Sequence, residues 1–293
     1  MNHIRSIVVG VDFSPASASA IRQSLRMAAW TQAPIKAVHV LETLVRADPS
    51  GPMLITWQEL YDQLNREAQE KWKHFLAAIP DAAGMPLTVE LAGVVAQLTR
   101  HSQEHAETLL LLGIAGGKGK GVSATAAGCV RRSTADVLLV RQSDSGPFKT
   151  IVACVDFSAT SRRALEHAVR LAARDNASLF IIHAYTAPWK RLMLPRPGVP
   201  ADIDARFRQM MEDRLREFCA PFNHELGYVA TQFKVLEHDT HGHGISEFTT
   251  QILADLVVLG KRGEANVRDM FLGSTAERVL AQAPCSVLVV RPA

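Results

Sequence analysis

Ile7-Val-Val-Gly-Val-Asp-Phe-Ser14 returns as Ile151-Val-Ala-Cys-Val-Asp-Phe-Ser158, 144 residues further along the chain. Each copy runs into an Ala-rich helical stretch, 16–30 and 160–174, and then into a β-rich run, 35–41 and 178–184. Those runs carry His39-Val40 and His183-Ala184 in parallel. Leu109-Leu-Leu-Leu-Gly113 matches Leu256-Val-Val-Leu-Gly260 at a spacing of 147, and Val137-Leu-Leu-Val-Arg141 matches Val287-Leu-Val-Val-Arg291 at 150. A spacing that drifts by a few residues is what loop insertions do to a repeat. The chain therefore reads as two homologous modules, 1–143 and 148–293, joined around 142–147, where Asp-Ser-Gly-Pro marks a linker.

Within a module, short β-branched runs alternate with helical patterns. In the second module the strands are predicted at 149–155, 178–184, 229–236, 256–260 and 285–291, with helices at 160–174, 201–222, 244–253 and 274–282. Ser158 is a start signal for the first of these helices. Near-continuous apolar strands such as Leu256-Val-Val-Leu suit a parallel sheet covered on both faces. The alternation predicts a doubly wound α/β fold in each module, with ligands bound beyond the carboxyl ends of the strands.

Composition narrows the function. The 293 residues are 47% hydrophobic and 21% charged, and 32 Lys+Arg against 29 Asp+Glu leave a net charge of +3. Neither a strong basic excess nor a basic stripe is present, which argues against nucleic acid as a partner. No apolar run approaches the ~20 residues that span a bilayer. The N-terminus leads straight into a strand-like run, so the expectation is a cytoplasmic chain without a secretory signal. The cysteines, Cys129, Cys154, Cys219 and Cys285, are far apart and read as reduced, partly buried thiols.

At the strand ends of the second module, Asp156 follows the first strand and Gly260-Lys-Arg-Gly263 follows the fourth. After nine more residues, Gly273-Ser274-Thr275 opens the last helix, giving G-x2-G-x9-G-[ST]. Glycines let backbone approach a ligand, and amides at a helix N-terminus face an anion with the dipole in its favour. The hydroxyls of Ser274 and Thr275 add donors, and Asp156 can accept from a pair of ribose hydroxyls. Asp156 can equally cap the following helix, and Gly260 and Gly263 can be an ordinary tight turn. Neither a P-loop nor a GxGxxG fingerprint in the right context is present.

This arrangement resembles the universal stress protein family in its tandem two-domain form, over nearly the whole chain and most closely in the second module. The resemblance implies a five-stranded parallel sheet with helices on both faces in each module. It implies ATP held with Mg²⁺ or Mn²⁺: Asp156 on the ribose, the backbone at Ala184 on the adenine, Gly260 against the ribose, and Gly263, Gly273, Ser274 and Thr275 on the phosphates. It also implies that the last strands pair antiparallel, 136–141 with 285–291, making an internal pseudo-dimer about a pseudo-two-fold axis and covering two edges. Further homodimerisation through other surfaces is compatible with that.

The first module departs from the pattern. Gly113-Ile-Ala-Gly116 keeps two glycines, but aligning backward from Arg141 sets Ser123 opposite Gly273 and Ala124 opposite Ser274. Asp12 survives as a helix cap beside a broken cradle, so one nucleotide site per chain is expected, with a structural role for the first module. Gly116-Gly-Lys-Gly-Lys-Gly121 reads as a solvated basic loop rather than an anion cradle. His238, His241 and His243, with Asp239, offer zinc ligands at short spacing, against the plainer reading of a polar Gly-rich loop. His39 and His183 read as packed structural histidines. Trp57, Tyr61, Trp72 and Phe75 fall at mostly helical spacing on one core-facing helix. The long segments 42–56 and 185–200 are candidates to gate the pockets or meet a protein partner. Three functions follow: an ATP-binding regulatory stress protein, a slow ATP hydrolase or phosphotransferase, and an interaction protein that uses another ligand in the first module. The motif positions phosphates but supplies no evident base, which places regulation ahead of catalysis.

Overall fold

The computed structural model describes residues 4–42, 56–115, 121–191, 202–263 and 272–292. Two compact units emerge, one from 2–116 with 123–146 and the other from 147–293 with 117–122. The first holds β1 (Ser6–Gly10), α1 (Pro15–Thr31), β2 (Ile35–Leu41), α2 (Trp57–Ala77), β3 (Leu87–Leu91), α3 (Val94–Ser102), β4 (Thr108–Ile114), α4 (Ala124–Arg132) and β5 (Asp136–Arg141). Its strands run in the order β3-β2-β1-β4-β5, each neighbour parallel. The second holds β6 (Thr150–Cys154), α5 (Ala159–Asp175), β7 (Ser178–Tyr185), α6 (Pro188–Arg191), α7 (Ile203–Cys219), α8 (Asn223–Leu226), β8 (Thr231–Glu237), α9 (His241–Gln251), β9 (Leu256–Gly260), α10 (Ser274–Gln282) and β10 (Ser286–Val290). It repeats the topology as β8-β7-β6-β9-β10, again all parallel.

The expected doubly wound α/β modules are thus present. Ile7, Val9, Leu110 and Leu138 in one sheet and Ile151, Val152, Val257 and Val287 in the other are sealed from solvent. Apolar residues at consecutive positions are the mark of strands covered on both faces. The two long helices after the first strand of each unit start alike: Ser14 accepts from the Ser17 N–H at 3.2 Å, and Ser158 from the Ser161 N–H at 3.1 Å. Each satisfies one of the amides a helix start leaves over. They end alike too, at Gln32 and Asn176 in the left-handed region, φ 57° and 52°.

Two boundaries differ from the sequence expectation. The helix expected over 201–222 stops at Cys219 and passes into a short 3₁₀ turn, Ala220–Phe222, because Pro221 has no N–H to donate. The helix expected from 244 starts at His241, so Gly242 and Gly244 lie inside its first turns. Glycine's poor helix propensity hid that start. The structural reason for both glycines is crowding. A Cβ at Gly242 would stand 2.5 Å from Arg278 Cβ, and one at Gly244 would stand 2.8 Å from His238 Cβ. Of the expected core aromatics of α2, Trp72 is buried and donates its Nε1–H to Met85 O at 2.7 Å, and the half-buried Tyr61 reaches Val89 O. The parts of the candidate gating segments at 43–55 and 192–200 lie outside the described residues.

The order β3-β2-β1-β4-β5 reverses direction between β1 and β4, and the second unit does so between β6 and β9. Such switch points open a crevice beyond the strand ends. In the first unit β4 runs close against the start of α1. A Cβ on Gly113 would lie 2.3 Å from the Ala16 carbonyl carbon and 2.6 Å from the Ser17 nitrogen. Gly113→Ala is therefore expected to cost ~1–3 kcal/mol through overpacking against backbone that cannot move aside. Gly146→Ala, where a Cβ meets nothing within 4 Å, should stay within about 0.5 kcal/mol of the parent. Urea denaturation of the two variants beside the parent checks both.

Candidate functional site

The crevice of the second unit is built from strand ends and one helix start. β6 ends as Val155 N donates to Ile182 O at 2.8 Å. The chain then turns at Phe157, whose φ of 69° is a costly conformation for a residue with a Cβ. That turn sets Asp156 at the mouth of the crevice. Its Oδ1 accepts from the Ser158 N–H at 3.0 Å and the Ser158 hydroxyl at 2.5 Å. Its Oδ2 faces Gly263, where an added Cβ would stand only 2.6 Å away. Ser158, not Asp156, is therefore the cap of α5; Asp156 holds that cap through Oδ1, while Oδ2 lies on the side of Gly263.

Across the crevice, Gly273 N donates to Lys261 O at 2.9 Å and closes the base of the loop whose residues 264–271 lie outside the described ones. Gly273 is also the N-cap of α10, with extended backbone and no side chain to cap the helix. The first-turn amides of α10 therefore meet no side-chain acceptor from their own cap. Lys261 is buried, and burial together with the neighbouring Arg262 charge pushes its ammonium down to about 8.

Alternate residues of a parallel strand direct their N–H and C=O to opposite neighbours. Leu179 N reaches Ala230 O on the β8 side and Ile182 O is taken from the β6 side, so the Ala184 amide faces where β6 has already ended. Asp156, Ala184, Gly260, Gly263, Gly273, Ser274 and Thr275 line one cavity of about 420 Å³. Ile182, Ile245 and Leu259 form its apolar wall, and Cys154, Ser161 and His241 complete the ring. A mostly apolar cleft with a few convergent polar groups, in this size range, suits a small-molecule ligand.

The same frame is spent differently in the first unit. Asp12 Oδ1 accepts from the Ser14 N–H at 3.0 Å and from the Ser17 hydroxyl in a short contact. Burial raises its carboxyl, but the hydrogen bonds from Ser14 and Ser17 outweigh that and hold it below the usual carboxylate range. At the position of Gly273 stands Ser123, whose hydroxyl accepts from the Ala126 N–H at 3.2 Å. The helix start is capped from within. The basic loop residues 116–120 lie outside the described residues.

The sequence pattern of the universal stress protein family matches residues 3–141 and, a second time, residues 147–291. The chain belongs to the universal stress protein family. It is 27% identical to a universal stress protein of Mycolicibacterium smegmatis, over 98% of this chain and 97% of that one. It is 26% identical to universal stress protein Rv2623 of Mycobacterium tuberculosis, over 99% and 97%. A crystal structure of a universal stress protein from Archaeoglobus fulgidus shares the fold, with a TM-score of 0.68 at 19% identity over 98% of both chains.

In this universal stress protein the three histidines offered as zinc ligands do not converge. Among the described residues no three His, Cys, Asp or Glu side chains form a group able to hold a metal. The cause is the helical start at His241. It turns His243 to solvent while His241 lines the cavity with Nε2 at 3.2 Å from Thr186 Oγ1. His238 Nδ1 is meanwhile engaged by the Thr240 N–H at 2.9 Å. The Thr186 hydroxyl donates to His238 O at 2.9 Å, so the His241 Nε2 must itself carry the hydrogen shared with Thr186. The lining residues that the glycine motif did not mark include Cys154, Ser161, Ile182 and Leu259 and, on one helix, His241, offered above only as a zinc ligand, and Ile245. The i, i+4 spacing of the last two on α9 was the available signal. Among the described residues no helix is long and apolar enough to cross a membrane.

The contrast between the two helix starts has a direct consequence. Ser123→Ala removes a cap and should cost ~1 kcal/mol of stability. Ser274→Ala removes a hydroxyl that, among the described residues, caps no helix amide, and should change stability by less than about 0.5 kcal/mol. Chemical denaturation in the absence of nucleotide measures both.

Proposed function

We propose that the second module binds ATP together with a divalent cation, and that occupancy of this site regulates the protein. The observation that carries the reading is the convergence of Asp156, the Ala184 backbone, three glycines and the uncapped start of α10 on one cavity. The residues present fit the ligand. The space beside Asp156 Oδ2 exists because position 263 has no Cβ, leaving room for a ribose to approach the carboxylate. The first-turn amides of α10 and the positive helix end suit phosphate oxygens, and Lys261 and Arg262 add positive charge to the loop. The Ala184 N–H and C=O match the acceptor and donor on one edge of adenine. Ile182, Ile245 and Leu259 offer apolar surface to the ring. Mg²⁺ or Mn²⁺ would be held chiefly by phosphate oxygens and water, as small hard cations are at nucleotide sites. Regulation then requires that ATP bind two states of the protein unequally.

Gly273→Asp provides the test. A Cβ at this position meets Lys261 O at an ordinary 3.5 Å, and aspartate is itself a good N-cap, so the variant should fold. Its carboxylate would take the α10 amides and repel phosphate. Acid extraction of the purified parent is expected to release about one adenine nucleotide per chain, and the folded variant little. The variant should also bind added Mg·ATP at least roughly tenfold more weakly, the scale of losing a charge-assisted hydrogen bond. A parent that neither retains nucleotide nor binds added Mg·ATP would overturn the reading.

A further inference from the structure

The nucleotide reading leaves His183 unused, yet this side chain touches both sides of Asp156. Continuing the ladder past Val155 N→Ile182 O, the next rung would run from the Ala184 N–H to Val155 O. The His183 imidazole takes that carbonyl instead, with Nδ1 at 2.8 Å. A carbonyl only accepts, so Nδ1 carries the hydrogen. Burial, reinforced by the positive charges of His241 and Arg214 and opposed by Val155 O and Asp156, holds the ring below the ordinary histidine range. Beyond Asp156, the same ring packs on Phe157 at 4.4 Å, and the Arg214 guanidinium covers Phe157 at 4.1 Å. Phe157 is the residue in the left-handed conformation that turns the chain.

The first unit repeats the device beside a helix start that Ser123 caps. Val11 N donates to Val38 O at 2.9 Å, His39 Nδ1 lies 2.7 Å from Val11 O, and His39 packs on Phe13, whose φ is 60°. Nature thus supplies a matched control for any purely structural role.

We propose that His183 is a positioning residue of the nucleotide site: by occupying the Val155 carbonyl and bracing Phe157 it turns Asp156 toward Gly263 and leaves the Ala184 N–H facing the cavity. The consequence for ATP rests on the reading of the cavity given above; the positioning of the turn does not.

His183→Asn carries its amide N–H₂ close to the place of Nδ1, whereas His183→Gln carries it toward the place of Nε2. His39→Asn and His39→Gln are the matched pair. Two readouts are compared. Without nucleotide, amide hydrogen exchange over 154–158 should be faster in His183→Gln than in His183→Asn, which should resemble the parent. With Mg·ATP, His183→Asn should stay within about threefold of the parent and His183→Gln should weaken about tenfold, the scale of one lost hydrogen bond. Neither His39 variant should change affinity. Should His183→Gln fail to fold, His183→Ala with and without free imidazole takes its place, and added imidazole should restore slow exchange. Equal exchange in the Asn and Gln variants, or in the Ala variant with and without imidazole, would overturn the proposal. So would equal losses of affinity from the His39 and His183 substitutions. If the parent itself does not bind ATP, the ATP reading falls alone and the exchange measurement still decides the role of His183.

Discussion

A parallel strand buried on both faces and paired along both edges can present unpaired backbone groups only where it ends. The proposed site follows from that constraint. The interior of each sheet is sealed by Ile, Val and Leu at consecutive positions, so no ligand can reach it. At the carboxyl ends the ladder stops one strand at a time, and β6 stops before β7. The Ala184 amide, the Asp156 carboxylate and the Gly260 backbone are exposed to one crevice by that staggered ending.

The two units carry different helix starts on the same frame. Topology, the capping serines Ser14 and Ser158, and the left-handed Phe13 and Phe157 are shared. The divergence lies at the helix start and the neighbouring strand end. Ser123 satisfies its own helix where Gly273 does not. Gly113 lies against α1 backbone, whereas Gly260 meets the Thr160 side chain, with Cγ2 at 2.9 Å from its would-be Cβ. One hydroxyl distinguishes a helix start capped by its own N-cap side chain from one whose N-cap residue has none.

Most of this was legible in the residues. The repeat of Val-Asp-Phe-Ser announced two modules, apolar runs announced parallel strands, and Ser158 announced a helix start. The spacing of Gly260, Gly263 and Gly273 brought together residues that the fold does gather around one cavity. What escaped was tertiary in origin. Gly242 and Gly244 read as loop because their reason is the close approach of Arg278 and His238, which no local pattern encodes. The zinc expectation failed with them, since three histidines on a loop can converge but His241 and His243 on a helix turn apart. The left-handed backbone of Phe157 was equally invisible, because nothing in a phenylalanine announces positive φ.

The measurement that bears most directly on this account is a Mg·ATP titration followed by ¹H–¹⁵N amide shifts across the whole chain. The account predicts saturable shifts at Ser274, Thr275, Ala276 and Ala184, with Ala124, Thr125 and Ala126 at the start of α4 unmoved. Matching shifts at both helix starts, or none at α10, would contradict it.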